Sequence, residues 1–208
     1  MDKNYWESFY LNQNADLKPS LFAKYIVENI AGQRTTLIEL GCGNGRDAVF
    51  FANEGLTVRA IDQCASEIDF LKNSHQNLPT IQFIQGDFTN MEDGKNFDLI
   101  YSRFTLHSVS GKQQEKVTRW AYSNLNPQGR FCIEVRGHKN EIYGIGEPVE
   151  GEKDAFIYEG HYRRFIKLTS LCKDLEDVGF QLKIAEEKKG FAPYKNKNEV
   201  FIRVIAQK

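Results

Sequence analysis

From Thr36 to Val135, short apolar runs alternate with longer segments of helical spacing, and this alternation constrains the chain more than any other feature. Runs at Thr36 to Leu40, Thr57 to Ile61, Ile81 to Ile84, Phe97 to Tyr101 and Arg130 to Val135 have the length and apolar content of buried strands. Between them, Asp47 to Asn53, Glu67 to Ser74 and Gly111 to Leu125 carry apolar residues at helical intervals, and an amphipathic stretch, Leu17 to Asn29, precedes the first run. Strands joined through helices pair in parallel, so the pattern predicts βαβ units feeding one sheet. After the fifth strand the order lapses. Residues 137 to 164 hold five glycines and many charges without a sustained period, and read as a long loop or lid. A last helix, Leu168 to Val178, ends at Gly179. The runs Phe180 to Ala185 and Val200 to Ala206 follow with no helix between them, which predicts antiparallel pairing.

A chain of 208 residues, 41% of them hydrophobic, suits one domain over 1–208, with an N-terminal cap segment at about 1–30 and a lid insertion at about 137–165. With 27 Lys and Arg against 28 Asp and Glu, it lacks the broad positive field of a nucleic-acid binder. The start, MDKNYWESFY, has no apolar core of a secretion signal, and no apolar run is long enough to cross a bilayer. A cytoplasmic protein that does not engage membranes is expected. Cys42, Cys64, Cys132 and Cys172 are scattered without a CxxC pair and read as reduced, mostly buried thiols.

The segment Leu37-Ile38-Glu39-Leu40-Gly41-Cys42-Gly43-Asn44-Gly45-Arg46-Asp47 runs from a buried strand through a glycine turn into a helix. Glycines at 41, 43 and 45 permit positive φ and a close approach of ligand to backbone. A dinucleotide-binding loop would carry its third glycine at position 46, where this chain has Arg46. Asp62 ends the second strand 21 residues after Gly41, and Gln85-Gly86-Asp87-Phe88 follows the third. All three features stand at strand C-termini, the edge where open α/β sheets bind ligands. In order and spacing they resemble the class I S-adenosylmethionine (SAM) dependent methyltransferases. The short chain and its opening Tyr5-Trp6-Glu7-Ser8-Phe9-Tyr10 look like the small enzymes of the tellurite-resistance type and of surface-polysaccharide loci.

The resemblance implies a Rossmann-like, doubly wound α/β sheet of seven strands, mostly parallel with an antiparallel C-terminal strand. It implies SAM as cofactor and S-adenosylhomocysteine as product. Glu39 and the loop of Gly41, Gly43 and Gly45 would then take the methionine part, with Arg46 at its carboxylate, and Asp62 with Gln63 the ribose hydroxyls. Gly86, Asp87 and Phe88 would take the adenine, Ser102 would border the site, and Tyr5 and Trp6 would fold over it.

Methyl transfer from a sulfonium is an in-line displacement with no covalent enzyme intermediate, so positioning the acceptor matters most. A neutral alcohol also needs a general base, whereas a phosphoryl or carboxylate oxygen is already anionic and needs cations. After the fourth strand, Tyr101-Ser102-Arg103-Phe104-Thr105-Leu106-His107 lacks the Pro-Pro-aromatic pattern of enzymes that methylate base amino groups. His107 is the candidate base there, and Arg103 a candidate grip on the acceptor. The lid adds Arg136, His138 and Tyr143 on one limb and Tyr158, His161, Tyr162, Arg163 and Arg164 on the other. Guanidinium forks and tyrosine hydroxyls suit phosphate or carboxylate oxygens, so Tyr162, Arg163 and Arg164 join Arg103 and His107 as the catalytic candidates. Residues 183 to 208 carry seven Lys or Arg against three Glu, and Tyr194 in this stretch extends the wall if it faces the site. His138 and Glu141 have metal-ligand spacing but no third partner, so no metal is expected.

The expected function is O-methylation of a small anionic acceptor: a phosphoryl, phosphoramidate or carboxylate group, on a nucleotide- or sugar-linked precursor in surface-polysaccharide modification. The alternatives are a neutral metabolite, an inorganic oxyanion such as tellurite, and a SAM-binding module without catalysis. A monomer or weak homodimer acting on a small molecule is expected.

Overall fold

The computed structural model describes Tyr5, residues 18–92 and residues 96–208. Ser20, extended at φ −65° and ψ 157°, accepts from the Ala23 N–H and so opens the first helix, α1 (Leu21–Asn29). The spacing had suggested a start at Leu17, which lies outside the described residues. Then come β1 (Thr36–Leu40), α2 (Arg46–Asn53), β2 (Thr57–Asp62), α3 (Ala65–Ser74), β3 (Ile81–Gln85), β4 (Phe97–Arg103), α4 (Gly111–Asn124) and β5 (Leu125–Val135). Ser110 and Gln113 close a reciprocal capping box at the start of α4. The lid region supplies β6 (Glu147–Pro148), β7 (Ala155–Tyr158) and β8 (His161–Arg164), before α5 (Leu168–Val178), β9 (Gln181–Lys188) and β10 (Phe201–Gln207).

Seven strands form one sheet in the order β3-β2-β1-β4-β5-β10-β9. β1 to β5 pair in parallel, and β10 lies antiparallel between β5 and β9. This is the Rossmann-like arrangement expected from the sequence. The strand order reverses between β1 and β4, which opens a crevice at their carboxyl ends. Ile38, Leu40, Ile100, Ile133 and Val135 pack with Val117, Ala121, Leu171 and Leu175 of α4 and α5. Leu37, Leu99, Tyr101 and Cys132, one residue out of phase, pack with Phe22 and Ile26 of α1 and Phe51 of α2. All four cysteines are free thiols, and no described helix is long and apolar enough to cross a membrane.

Two sequence readings need correction. The stretch 137–164 is not one irregular loop: β6, β7 and β8 form a small antiparallel sheet. Tyr158 pairs with His161 across a two-residue turn in which Glu159 and Gly160 both have positive φ, 53° and 71°, the tight hairpin that matches strand twist. Four-residue strands are too short for an alternation to stand out. The fifth strand, expected over Arg130 to Val135, is longer in the structure: β5 starts at Leu125 and runs through Asn126-Pro127-Gln128-Gly129. A register shift against β4 and a left-handed Gln128 absorb the irregularity.

Candidate active site

The glycine loop leaves β1 at the crevice. Gly41, Gly43 and Gly45 have φ of 72°, 52° and 72°, a region that costs other residues about 1–2 kcal/mol. A Cβ on Gly41 would stand 2.5 Å from the Thr105 methyl, and one on Gly45 2.8 Å from Leu71, so the backbone is tightly packed from behind. The Gly41 and Cys42 N–H groups donate to the Ile61 carbonyl at 2.8 and 3.0 Å. The Gly43 N–H donates to Asp62 Oδ2 at 2.9 Å, and Asp62 Oδ1 accepts from the Cys64 N–H at 3.0 Å. Asp62 thereby ties the loop to the end of β2, and each oxygen keeps a lone pair for a ligand hydroxyl.

Glu39 Oε2 and Gln63 Nε2 are buried without a hydrogen-bond partner among the described residues. Glu39 is 5% exposed. Burial, helped by the charge of Asp47, pushes its carboxyl well above the usual range, against the opposing charges of Arg103 and Arg46. An orphaned acceptor and an orphaned amide beside a glycine cradle fit a ligand that brings an ammonium, hydroxyls and ring nitrogens, as SAM does.

The other cofactor candidates fall into different roles. Arg46 opens α2, its Nε 3.9 Å from the carboxylate of Asp47. Asp87 is exposed and uses Oδ1 to accept from the N–H and hydroxyl of Thr89, both at 2.8 Å. A Cβ on Gly86 would meet Ile61 at 2.9 Å. Phe88 is 2% exposed and packs in the core with its edge toward Gly41, so it supports the loop and offers no open face to an adenine ring. Ser102 is fully buried, its hydroxyl 2.6 Å from that of Thr105. Tyr5 stacks on His161, with centroids 4.5 Å apart and planes at 17°, which puts it against β8. Trp6 lies outside the described residues.

On the acceptor side, His107 Nδ1 accepts from the Arg136 N–H at 3.2 Å, so the neutral ring carries its proton on Nε2. Burial pushes this imidazole well below its ordinary range, and Arg136, His161, Arg163 and Arg164 push the same way. Such a ring donates a hydrogen bond and has no free lone pair with which to take a proton. Alternation along β8 turns His161 and Arg163 to one face, Tyr162 and Arg164 to the other. Arg164 donates to the carbonyls of Val109 (3.1 Å) and Leu106 (3.3 Å) and to Gln114, while the Tyr162 hydroxyl donates to Glu152 at 2.8 Å. Both side chains are thus engaged in holding the lid, which corrects their reading as acceptor ligands.

Arg163 donates through Nη1 to the Tyr158 carbonyl at 3.2 Å and lies 5.3 Å from that ring's centroid. Among the described residues its other nitrogens have no hydrogen-bond partner. Arg136 pairs with Asn140 and Glu199. His138 stacks on Tyr143 and lies 3.2 Å from Asp154 Oδ2, whose other oxygen accepts from the Tyr143 hydroxyl. Glu141 turns to the Val200 N–H and Lys189. Tyr194 is exposed in a turn with Lys197. Arg103 Nε donates to Glu134 Oε1 at 2.9 Å, and Arg203 takes the other oxygen at 2.7 Å.

Sequence reasoning missed three supporting groups. Thr105 walls the loop. Asp47 accepts from Ser20 N–H, Ser20 Oγ and Tyr101 OH at 2.7, 2.7 and 2.9 Å, knotting α1, α2 and β4 together. Arg203 is buried against Phe22 and Phe191. Only Asp47 carried a signal, an acid in the first turn of a helix.

A family model described as a methyltransferase domain matches residues 37–129, which run from β1 through the loop and crevice into β5. The chain is 24% identical over 185 residues, 85% of its length and 72% of the relative's, to a ubiquinone biosynthesis O-methyltransferase of Rickettsia akari. It is similar to the structure of Burkholderia thailandensis 1,6-didemethyltoxoflavin-N1-methyltransferase, which holds 1,6-didemethyltoxoflavin and S-adenosylhomocysteine: TM-score 0.72, 18% identity, 99% of this chain and 83% of that one. A TehB-like SAM-dependent methyltransferase from Corynebacterium glutamicum gives a TM-score of 0.64 at 19% identity, covering 99% and 95%. At these identities the structural likenesses concern the fold, and none singles out the tellurite or polysaccharide type. Residues 37–129 thus match a methyltransferase domain centred on a loop that fits SAM as cofactor, within a fold shared with SAM-dependent methyltransferases.

Proposed function

We propose that the enzyme O-methylates a small acceptor whose oxygen is already anionic, a phosphoryl, phosphoramidate or carboxylate group on a metabolite. The observation that carries this is the state of His107: its one lone pair is spent on the Arg136 N–H, and cationic groups surround it. That arrangement supports charge attraction and hydrogen-bond donation and gives no support to proton abstraction.

When bound, SAM supplies an electrophilic methyl on a sulfonium. Gly41, Gly43, Gly45, Glu39, Asp62 and Gln63 are the residues that would hold it. On the acceptor side Arg163 offers unspent guanidinium donors, and His107 offers its Nε2 hydrogen. An anionic oxygen held by such donors needs alignment, which is the larger part of catalysis in a displacement without covalent intermediates.

A second reading, methylation of a neutral hydroxyl, draws on the ubiquinone biosynthesis O-methyltransferases among the relatives. It requires a base that His107 does not supply as held. The test is S-adenosylhomocysteine release with pairs of acceptors differing only in an anionic group. Preference for the anionic member supports the proposal, and preference for the neutral one overturns it.

A further inference from the structure

His107 sits in a single turn of 3-10 helix, Leu106–Ser108, shortly after β4 and the left-handed Phe104. A turn this short has few bonds of its own, chiefly that of the Ser108 N–H to the Thr105 carbonyl at 2.9 Å. The carbonyls at its two ends go to the lid instead. Arg164 of β8 donates through Nη2 to Leu106 at 3.3 Å and through Nε to Val109 at 3.1 Å, so one guanidinium spans His107 from the residue before it to the second residue after it. The same Nη2 reaches Gln114 in the first turn of α4, and Gln114 Nε2 donates in turn to Asp174 of α5 at 3.3 Å.

The other limb of the lid holds the ring itself. Arg136, directly after β5, donates its N–H to His107 Nδ1 at 3.2 Å, and its carbonyl accepts from the Ile166 N–H at 3.1 Å. Gly137 and Ile166 form a parallel bridge, so the two limbs are tied to each other two residues beyond Arg164. Among the described residues Arg164, half-buried, has no carboxylate as ion-pair partner, and its charge is spent on two carbonyls and an amide. Burying a cation on neutral acceptors is a costly way to fasten a lid that packing alone could fasten. A planar guanidinium fork is suited to reach three acceptors at once, and here two of the three belong to the residues flanking His107 and Ser108.

We infer that Arg164 is a positioning residue for His107: by bracing the carbonyls of Leu106 and Val109 it keeps the ring where the Arg136 N–H fixes its tautomer, so that the base of the lid aims the Nε2 hydrogen at the acceptor. The hydrogen bond to Nδ1 stands at the long end of the ordinary range, and a small shift of the turn breaks it. Without that bond neither ring nitrogen is favoured as the proton carrier. The inference rests on His107 standing on the acceptor side and not on the charge of the acceptor.

Two-bond 1H–15N NMR correlations on the unliganded protein at neutral pH read the tautomer of each histidine. His107 is identified among the four histidines by the signal that His107→Asn removes. The wild type should show the Nε2–H form alone, and Arg164→Met both neutral forms. Arg164→Lys keeps the charge and loses the fork, so it should shift the same way to a smaller extent, which separates geometry from the loss of a cation. Phe156→Leu is the control: it loosens the aromatic cluster of the lid with Tyr143 and Phe165 but removes none of the hydrogen bonds to the turn, and should leave the single form. On whichever acceptor the wild type turns over, Arg164→Met should lower kcat by about 2- to 10-fold, no more than His107→Asn does, and add nothing to it in the double variant. The Nε2–H form retained in both Arg164 variants overturns the inference and leaves Arg164 a lid anchor. Mixed forms in Phe156→Leu also overturn it, because any loosening of the lid would then act alike. Mixed forms in the Arg164 variants alone, with kcat unchanged, uphold the bracing of His107 and overturn its part in the proposed function.

Discussion

Replacing Asp62 with alanine removes the acceptor of two backbone N–H groups at once, those of Gly43 at 2.9 Å and Cys64 at 3.0 Å. Hydrogen bonds to a charged acceptor contribute about 1.5–3 kcal/mol each. Asp62 is 8% exposed, and water entering the space vacated by its carboxylate at the end of β2 would satisfy part of what is lost, so the net destabilisation should be about 2–3 kcal/mol. At about 2–4 °C per kcal/mol for a domain of this size, Tm should fall by roughly 4–12 °C. Asp62→Asn keeps one acceptor oxygen but turns an amide NH2 toward the other N–H, and should fall between. Scanning calorimetry of the unliganded variants measures this effect. Titration with S-adenosylhomocysteine measures a second one, because the ribose hydroxyls lose a charged acceptor and affinity should drop by roughly 5- to 150-fold. An Asp62→Ala protein that melts with the wild type refutes the claim that this carboxylate shapes the loop. Unchanged affinity removes Asp62 from the cofactor site.

Three further expectations come from individual side chains. The Glu39 carboxyl is held above its ordinary range, so above about pH 4.3 the unfolded chain releases this proton more readily than the folded one, and stability declines as pH rises. Glu39→Gln should therefore raise Tm at neutral pH, with a gain over wild type that grows with pH, and melting curves that stay parallel would contradict this. His107 has the opposite sign: its stabilising contribution is present above about pH 6.5 and lost as pH falls toward the depressed folded value. His107→Asn, which can still accept from the Arg136 N–H, should flatten that acid limb in urea titrations at several pH values; an unchanged limb would clear His107. Finally, Arg164→Ala should cost about 1–3 kcal/mol in stability through the loss of its carbonyl contacts, while Arg163→Ala should leave Tm near wild type.

Legibility from sequence followed the strength of local signals. The strand-to-glycine-to-helix segment at 37–47 sets three constraints on neighbouring residues, and β1, the loop and α2 stand where it places them. Asp62 was marked only as an acid ending the second strand, and its bonds to the Gly43 and Cys64 N–H groups follow from the assembled loop. The lid was less so: β7 and β8 are too short for periodicity, and their pairing rests on the Glu159-Gly160 turn. Composition marked Tyr162, Arg163 and Arg164 alike as anion grips. Only strand alternation separates Arg163 from the two that hold the lid, and alternation cannot be applied until the strand is known. Likewise nothing in the linear order tells that Glu134 lies between Arg103 and Arg203, because β10 reaches that position only by inserting between β5 and β9. Residues far apart in sequence meet through topology, and their charges read as unpaired until the sheet is assembled.

That the acceptor arrives already anionic is tested most directly by steady-state kinetics of Arg163→Ala and His107→Asn on a phosphorylated or carboxylated acceptor that the wild type turns over. Arg163→Ala should raise KM by about 10- to 100-fold through the loss of charge-assisted hydrogen bonds, while His107→Asn should keep kcat within about tenfold of wild type, since no proton is abstracted. A His107→Asn variant whose kcat falls by about 10²- to 10⁴-fold, beside an Arg163→Ala variant with unchanged KM, would contradict it and assign the enzyme a neutral hydroxyl and a general base.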